Sequence, residues 1–526
     1  MGLQYSPKNL PKQLFINNEY VDSKNFKKLT LYNPKDGSLV SDDVPLAGEQ
    51  DVDAAVEAAE KSFPAWKKMG ATQRRNILLK FANLIEKHAN EIAQLSRISL
   101  GAPASFGAFE GGLCAEVRLR TPPHECCHLV LTICNRLFDT TPDSSTNLVA
   151  SRGHRKMVSS KLYATNLSVS PLVSYRGTGP LAPLVSKQAL HLQLVTALSS
   201  NPQRRRPSLP LHSALLSRKL ASRLVFSKSC PEMAARELCL RVTCGFAKFH
   251  LLEGKSPLSV RFHIRDVADF RSSIATGKKI QEMAAKSNLK RVTLELGGKS
   301  PAVVFDDCNL DNAVTWTANA ITANTGQVCF AASRVYVQEG IYEKFIEKYK
   351  EAMKNKAKEI GDPEAEGTNM GPLVDEAQFK RVQGFIERGQ QGQGTLAVGG
   401  KRVGDKGFYI EPTVFTDVDP KSEIHCEEIF GPVSVVKSFK TEEEIIELSN
   451  NTNFGLMAGV FTQDINKALR VASDFDSGMV GINCVSLMFT VTPFGGSKES
   501  GLGRECGIHA LRAFTEPKTI MINMTY

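Results

Sequence analysis

The chain has 526 residues, 42% of them hydrophobic, and a net charge of +10. That length supports two or three domains around a large core, and the absence of any run of 18 apolar residues argues against a transmembrane helix. The start, MGLQYSPKNLPKQLFINNEYV, lacks the charged head and apolar stretch of a secretory signal, so a soluble cytoplasmic protein is expected.

Residues 13–45 read as short strands broken by turns: LFINNEYV, a polar stretch, then LYNPKDGSLV, with Asn33-Pro34 and Asp36-Gly37 as turn signals. Asp51 opens a helix (DVDAAVEAAEKSF). A longer one follows through RRNILLKFANLIEKHANEIAQLSRIS, where Ile77, Leu78, Phe81, Leu84, Ile85 and Ile92 keep a helical spacing.

From Gly111 to about Phe270 no period of 2 or 3.6 persists, and Ser, Leu, Arg and Pro crowd together, as in RRRPSLPLHSALLSRKLASRLVFS. Residues 111–270 hold 22 Lys+Arg against 9 Asp+Glu and 7 of the 12 Cys, while the rest holds 43 basic and 46 acidic residues. The positive charge therefore belongs to a stretch that does not specify a fold. A nucleic-acid role needs a folded surface to present that charge, and none is read here.

Order returns near Ile274. TGKKIQEMAAKSNLKR reads as a helix, RVTLELGG as a strand ending in a glycine turn, SPAVVFDD as a strand and DNAVTWTANAITANTG as a helix. Past Cys329 the alternation continues with SRVYVQ, IYEKFIEKYKEAMKNKAKEI and AQFKRVQGFIERGQ. Strand and helix in alternation argue an α/β fold with a mostly parallel sheet.

Two segments carry chemistry. In Asn324-Thr325-Gly326-Gln327-Val328-Cys329 the thiol follows a helix-like run and a Gly-Gln turn. There, backbone N–H groups can face an incoming carbonyl oxygen and favour the thiolate. A lone Cys is more often a small buried hydrophobe, so the setting carries the argument. In Leu294-Glu295-Leu296-Gly297-Gly298-Lys299-Ser300-Pro301 an acid sits between apolar residues at a strand end. It is either a surface carboxylate at a turn or, if partly buried, a group with the proton affinity of a general base. GGKS is not a phosphate loop, since the first Gly that motif needs would stand at Thr293. Gly501-Leu502-Gly503-Arg504 lacks a preceding strand and reads as a loop.

The two segments, 34 residues apart, resemble the active-site signatures of the aldehyde dehydrogenase superfamily. Glu427-Glu428-Ile429-Phe430-Gly431-Pro432, Gln378 with Arg381, Pro493-Phe494-Gly495-Gly496-Ser497-Lys498 and the tail GIHALRAFTEPKTIMINMT resemble further family segments in the family's order. Residues 13–110 resemble its N-terminal region. The resemblance implies Cys329 as nucleophile and Glu295 as general base. It implies Glu428, Phe430, Leu296, Gly297, Gln378 and Arg381 against the cofactor, and Phe494 with Phe330 lining the substrate pocket. NAD is the implied cofactor, with NADP the alternative, and an aldehyde the substrate. No metal, nucleic-acid or membrane partner is implied, and a homodimer or homotetramer is.

The implied fold is α/β: two Rossmann-like parallel-sheet domains and an oligomerisation arm, with the cofactor domain incomplete. Residues 1–110 would begin the cofactor-binding domain and 271–295 complete it; 296–497 would form the catalytic domain and 498–526 the arm. Between lies the departure. The family's Pro-Trp-Asn motif with its oxyanion Asn, its Lys-Pro-Ser/Ala-Glu motif and its Gly-rich turn are absent from 111–270. In one shifted frame, the codons of Ser174-Tyr175-Arg176-Gly177-Thr178-Gly179-Pro180 permit Val-Pro-Trp-Asn-Gly-Pro. The same shift lets Leu198-Ser199-Ser200-Asn201-Pro202-Gln203-Arg204 read Ile-Leu-Lys-Pro-Ser-Glu. Residues 111–270 are therefore read as aberrant, out-of-frame or disordered. That reading empties His124-Glu125-Cys126-Cys127-His128 and Arg204-Arg205-Arg206-Pro207 of metal or nucleic-acid meaning. A catalytically impaired protein lacking much of its cofactor site is the alternative function.

Overall fold

A computed structural model describes residues 13–24, 27–103, 106, 267–271, 273–287, 289–514 and 519–521. The motifs sought or rejected within 111–266, and residues 515–518 and 522–526 of the tail, lie outside these residues.

The N-terminal strands form two small antiparallel pairs. β1 (Leu14–Ile16) and β2 (Glu19–Val21) make a hairpin whose turn residues Asn17 and Asn18 both take positive φ, a conformation Asn tolerates better than most residues. β3 (Lys28–Tyr32) pairs with β4 (Leu39–Pro45) across the Asn33–Gly37 turn. Helix α1 (Glu49–Lys68) starts two residues before Asp51, whose carboxylate accepts the Gly48 N–H (2.9 Å) and the Ser23 hydroxyl (2.8 Å). Asp51 thus satisfies a donor at the helix start instead of opening the helix.

The long helix expected after it is two: α2 (Ala71–Lys87) and α3 (Ala89–Leu100). The break is His88, buried at φ −107°, ψ 15°, with Nδ1 3.2 Å from Glu91. The apolar spacing continues across it, so periodicity alone does not reveal it. Gly101 ends α3 in the left-handed region, the usual glycine stop.

The principal layer is a seven-stranded sheet ordered β13-β12-β7-β8-β11-β10-β9. Its strands are β7 (Pro301–Val304), β8 (Arg334–Gln338), β9 (Thr395–Val398), β10 (Thr413–Thr416), β11 (Val433–Phe439), β12 (Met457–Phe461) and β13 (Met479–Ile482). Every neighbouring pair is parallel except β9 with β10 at one edge. Parallel strands need cover on both faces, and alternate side chains supply it. Ala302, Val304, Val335 and Val337 pack with Ala313, Ile321, Phe345 and Tyr349 of α5 (Leu310–Thr322) and α6 (Tyr342–Ala357). Val303, Phe305, Tyr336 and Val460 pack on the other side with Ile445 and Val471. Each such buried Val, Ile or Phe side chain stabilises by about 1.5–3 kcal/mol.

A second sheet orders β14-β6-β5, with β5 (Val267–Arg271) parallel to β6 (Arg291–Glu295) across helix α4 (Ile274–Ser287). Two features differ from the sequence reading. β5 begins at Val267, four residues inside the stretch read as aberrant, because VADFR finds its partner in β6. Gly501–Leu502, read as a loop at the head of the arm, forms β14, antiparallel to Glu295 and Leu294. Gly501 adopts φ 141°, which brings its Cα against the Leu294 carbonyl; a Cβ there would lie 1.9 Å from that oxygen.

Candidate active site

Glu295 ends β6 and is 3% exposed, flanked by β5 on one side and β14 on the other. The turn that follows is fixed from the late loop. Leu296 donates its N–H to the Ser500 carbonyl (2.9 Å). The Ser500 hydroxyl donates to the Gly297 carbonyl (2.7 Å) and accepts the Gly455 N–H (3.0 Å). Gly495 closes over the carboxylate: a Cβ on it would meet Glu295 Oε1 at 2.7 Å.

Cys329 follows α5 after a tight turn in which Asn324, Thr325 and Gly326 all take positive φ (46°, 58° and 72°). That conformation costs a non-glycine residue about 1–3 kcal/mol and persists only where neighbours enforce it. Here Thr325 donates its hydroxyl to the Gly371 carbonyl (2.8 Å), and Gln327 Oε1 accepts the Val374 N–H (2.9 Å). Gln327 Nε2 donates to the Asn324 carbonyl (3.2 Å).

The segments meet backbone to backbone. A Cβ on Gly298 would lie 2.2 Å from the Cys329 carbonyl oxygen, and one on Gly326 would lie 2.2 Å from the Gly431 carbonyl. The turn that follows Glu295, the turn that precedes Cys329 and the 427–432 segment therefore interlock where no side chain intervenes.

Glu428 lies on the turn after Glu295. Its Oε1 accepts the Gly298 N–H (2.9 Å), and a Cβ on Gly297 would sit 2.2 Å from its Oε2. Helix α7 (Glu376–Arg388), capped by Asp375, holds the backbone of this segment. Gln378 Nε2 donates to the Phe430 and Ile429 carbonyls (2.8 and 3.2 Å), and Arg381 donates to the Glu428 carbonyl (2.9 Å). Phe430 takes φ 58°.

Phe494 and Phe330 stand edge to face, centroids 5.6 Å apart. They belong to an apolar cluster with Leu456 and Cys506 against which Cys329 packs. Phe494 and Glu505 exchange both backbone hydrogen bonds (2.7 and 2.6 Å), and Ser486 donates to the Phe330 carbonyl (2.8 Å).

Beneath the turn lies a buried layer of basic side chains. Lys299 is 2% exposed and donates to the Ile424 carbonyl (2.9 Å). Burial lowers its pKa to about 7, with Arg334 adding to the fall and Glu428 opposing it. Arg334 donates to the Lys299 and Ser449 carbonyls (2.8 and 3.0 Å). Burial, reinforced by Arg334 and Lys299, takes His425 down to about 3. It is thus neutral, and its Nε2 pairs with the Tyr336 hydroxyl at 2.9 Å.

All ten residues singled out in the sequence thus fall in one neighbourhood. Sequence reasoning missed Gly298, Ser500 and Lys299. Gly298 has no side chain, Ser500 stands between the motifs that carry the resemblance, and Lys299 stands in a GGKS run that reads only against a phosphate loop. Among the described residues, no group of three or more His, Cys, Asp or Glu is arranged to hold a metal, and no helix is long and apolar enough to cross a membrane.

Comparison with known proteins gives this arrangement a family. The profile described as "Aldehyde dehydrogenase family" matches residues 20–118 and 259–520. An aldehyde dehydrogenase of Davidiella tassiana is 36% identical over 521 residues, covering 98% of this chain and 96% of its own length. Cytosolic aldehyde dehydrogenase 1 of Mus musculus is 33% identical, with 98% and 95% covered. The NAD+ complex of aldehyde dehydrogenase from Bacillus cereus superposes with a TM-score of 0.71 at 28% identity, covering all of both chains. With the profile spanning both signatures and the relatives aligned almost end to end, the chain belongs to the aldehyde dehydrogenase family.

Proposed function

We propose that the chain oxidises an aldehyde to a carboxylic acid, with Cys329 as nucleophile, Glu295 as general base and NAD as cofactor, NADP being the alternative. The observation that carries this reading is the contact of Gly298 with the Cys329 carbonyl, which joins the base-bearing and thiol-bearing turns.

The chemistry follows from the residue types. The Cys329 thiolate adds to the aldehyde carbon to give a thiohemiacetal, its oxyanion facing the Cys329 backbone N–H. When bound, the nicotinamide supplies the hydride acceptor. Oxidation at the captured carbon leaves an acyl thioester on Cys329. Glu295 then takes a proton from water as it attacks that carbon, and the thiolate leaves. Phe330 and Phe494 line the aldehyde's approach with apolar surface.

The nicotinamide half of the cofactor fits the residues present. Glu428, already on the turn, is a carboxylate able to accept from two ribose hydroxyls, Phe430 offers a ring, and Leu296 and Gly297 offer backbone. Gln378 and Arg381 fix this segment. A homodimer or homotetramer and a cytosolic location, as the mouse relative's name has it, belong to the same proposal.

Purified protein should reduce NAD in the presence of an aliphatic or aromatic aldehyde. Cys329→Ser should abolish turnover, and Glu295→Gln should let acyl-enzyme accumulate, seen by intact mass. Turnover by Cys329→Ser overturns the nucleophile. A second reading, a catalytically impaired homologue, is favoured by one observation: the family profile leaves residues 119–258 unmatched. Under it the chain as written fails to turn over, while a chain with that stretch restored to the alternative frame succeeds.

A further inference from the structure

We propose that Lys299 is a positioning residue: it holds the Ile424 carbonyl so that Glu428 stays clamped to the Gly297–Gly298 turn. The inference rests on the reading of Glu428 as the cofactor-ribose ligand.

Residues Glu423–Cys426 form a single helical turn that ends at Glu427, whose backbone is extended (φ −92°, ψ 147°). Had the helix continued, the Glu428 N–H would bond the Ile424 carbonyl. Lys299 Nζ supplies that donor from 125 residues away at 2.9 Å, acting as a helix C-terminal cap. The Glu428 backbone is thereby released from the helix, and its carboxylate faces the Gly298 N–H at 2.9 Å. Two bonds, at adjacent residues of one turn, now tie it to the 424–428 segment.

Lys299 is itself fixed from behind. Arg334, 1% exposed, donates Nε to the Lys299 carbonyl (2.8 Å), and its other nitrogens reach Tyr336 and the Leu448 and Ser449 carbonyls. A buried ammonium is costly to desolvate, and an apolar side chain of similar volume is often as stabilising. Stability alone therefore does not account for a lysine here, whereas geometry does.

The test uses the full chain without cofactor first. Amide exchange read by mass spectrometry should show faster exchange, by about tenfold, at Gly298 and across 424–430 in both K299M and E428Q, since the first removes and the second weakens a buried hydrogen bond to this segment. NAD titration should then show similarly weakened binding in each, with the double variant no weaker than the worse single one, as expected of groups acting together. Unchanged exchange in K299M overturns the inference. If E428Q exchanges faster at Gly298 yet NAD binding is unchanged, the cofactor reading fails instead. Should K299M not fold, K299Q gives the same exchange readout, and wild-type exchange there overturns the proposal equally.

Discussion

At Gly298 the turn that carries Glu295 passes the Cys329 backbone with no room for a side chain. Gly298→Ala would put a Cβ 2.2 Å from the Cys329 carbonyl oxygen and 3.4 Å from Leu456 Cβ, where ordinary contact begins at 3.4 Å. The obstacle is backbone and cannot rotate away, so the two turns must part by about 1 Å. A displacement of that size at a reacting group costs roughly 10² in rate, or about 2.7 kcal/mol of barrier. Gly297→Ala is the matched control. Its Cβ would meet Glu428 Oε2 at 2.2 Å, the far end of a flexible side chain, so the carboxylate swings aside. The Gly297→Ala effect should fall on the KM for NAD with kcat less affected, and Gly298→Ala the reverse. Turnover with NAD varied at saturating aldehyde separates the two. Alkylation of Cys329 by iodoacetamide repeats the comparison without cofactor, and only Gly298→Ala should alter its rate. Gly298→Ala with wild-type turnover and alkylation would refute the interlocking of the turns.

Two further outcomes follow from the same layer. Ser500→Ala strips the Gly297 carbonyl of its donor and the Gly455 N–H of its acceptor, both buried. Urea unfolding should show a loss of about 2 kcal/mol or more, whereas a change within error would mean that water replaces the hydroxyl. His425 gives a pH signature: the native state resists its protonation down to about 3, while the unfolded chain takes the proton near 6.5. Its contribution is complete above pH 6.5 and declines as pH falls through that window, by up to about 1.4 kcal/mol per unit. His425→Gln, which keeps an acceptor for the Tyr336 hydroxyl, should flatten the acid side of stability measured between pH 6.5 and 4.5; identical slopes in both proteins would count against this residue.

What the sequence displays openly is chemistry. A thiol after a Gly-Gln turn, a carboxylate before a Gly-Gly turn and a Glu-Glu-Ile-Phe-Gly-Pro run are legible because their side chains do distinctive things. The α/β alternation past Ile274 is legible because burial imposes a period. The missed features depend on partners far along the chain. His88 breaks a helix whose apolar spacing runs on through it. Ser500 acts on a carbonyl 203 residues away, and Lys299 on one 125 residues away. β5 and β14 are strands only because β6 lies between them. The glycines stand between these classes. Gly298 and Gly326 are visible as letters, and turn propensity explains them adequately until the structure shows them pressed against the Cys329 and Gly431 backbones. Their lack of a side chain lets three segments approach closely, so the site's geometry is carried largely by residues with nothing to react. A variant that preserves every reactive group but adds a methyl at one of these crossings therefore tests the assembly more sharply than removing the thiol does, because only the former leaves the chemistry intact and changes where it stands.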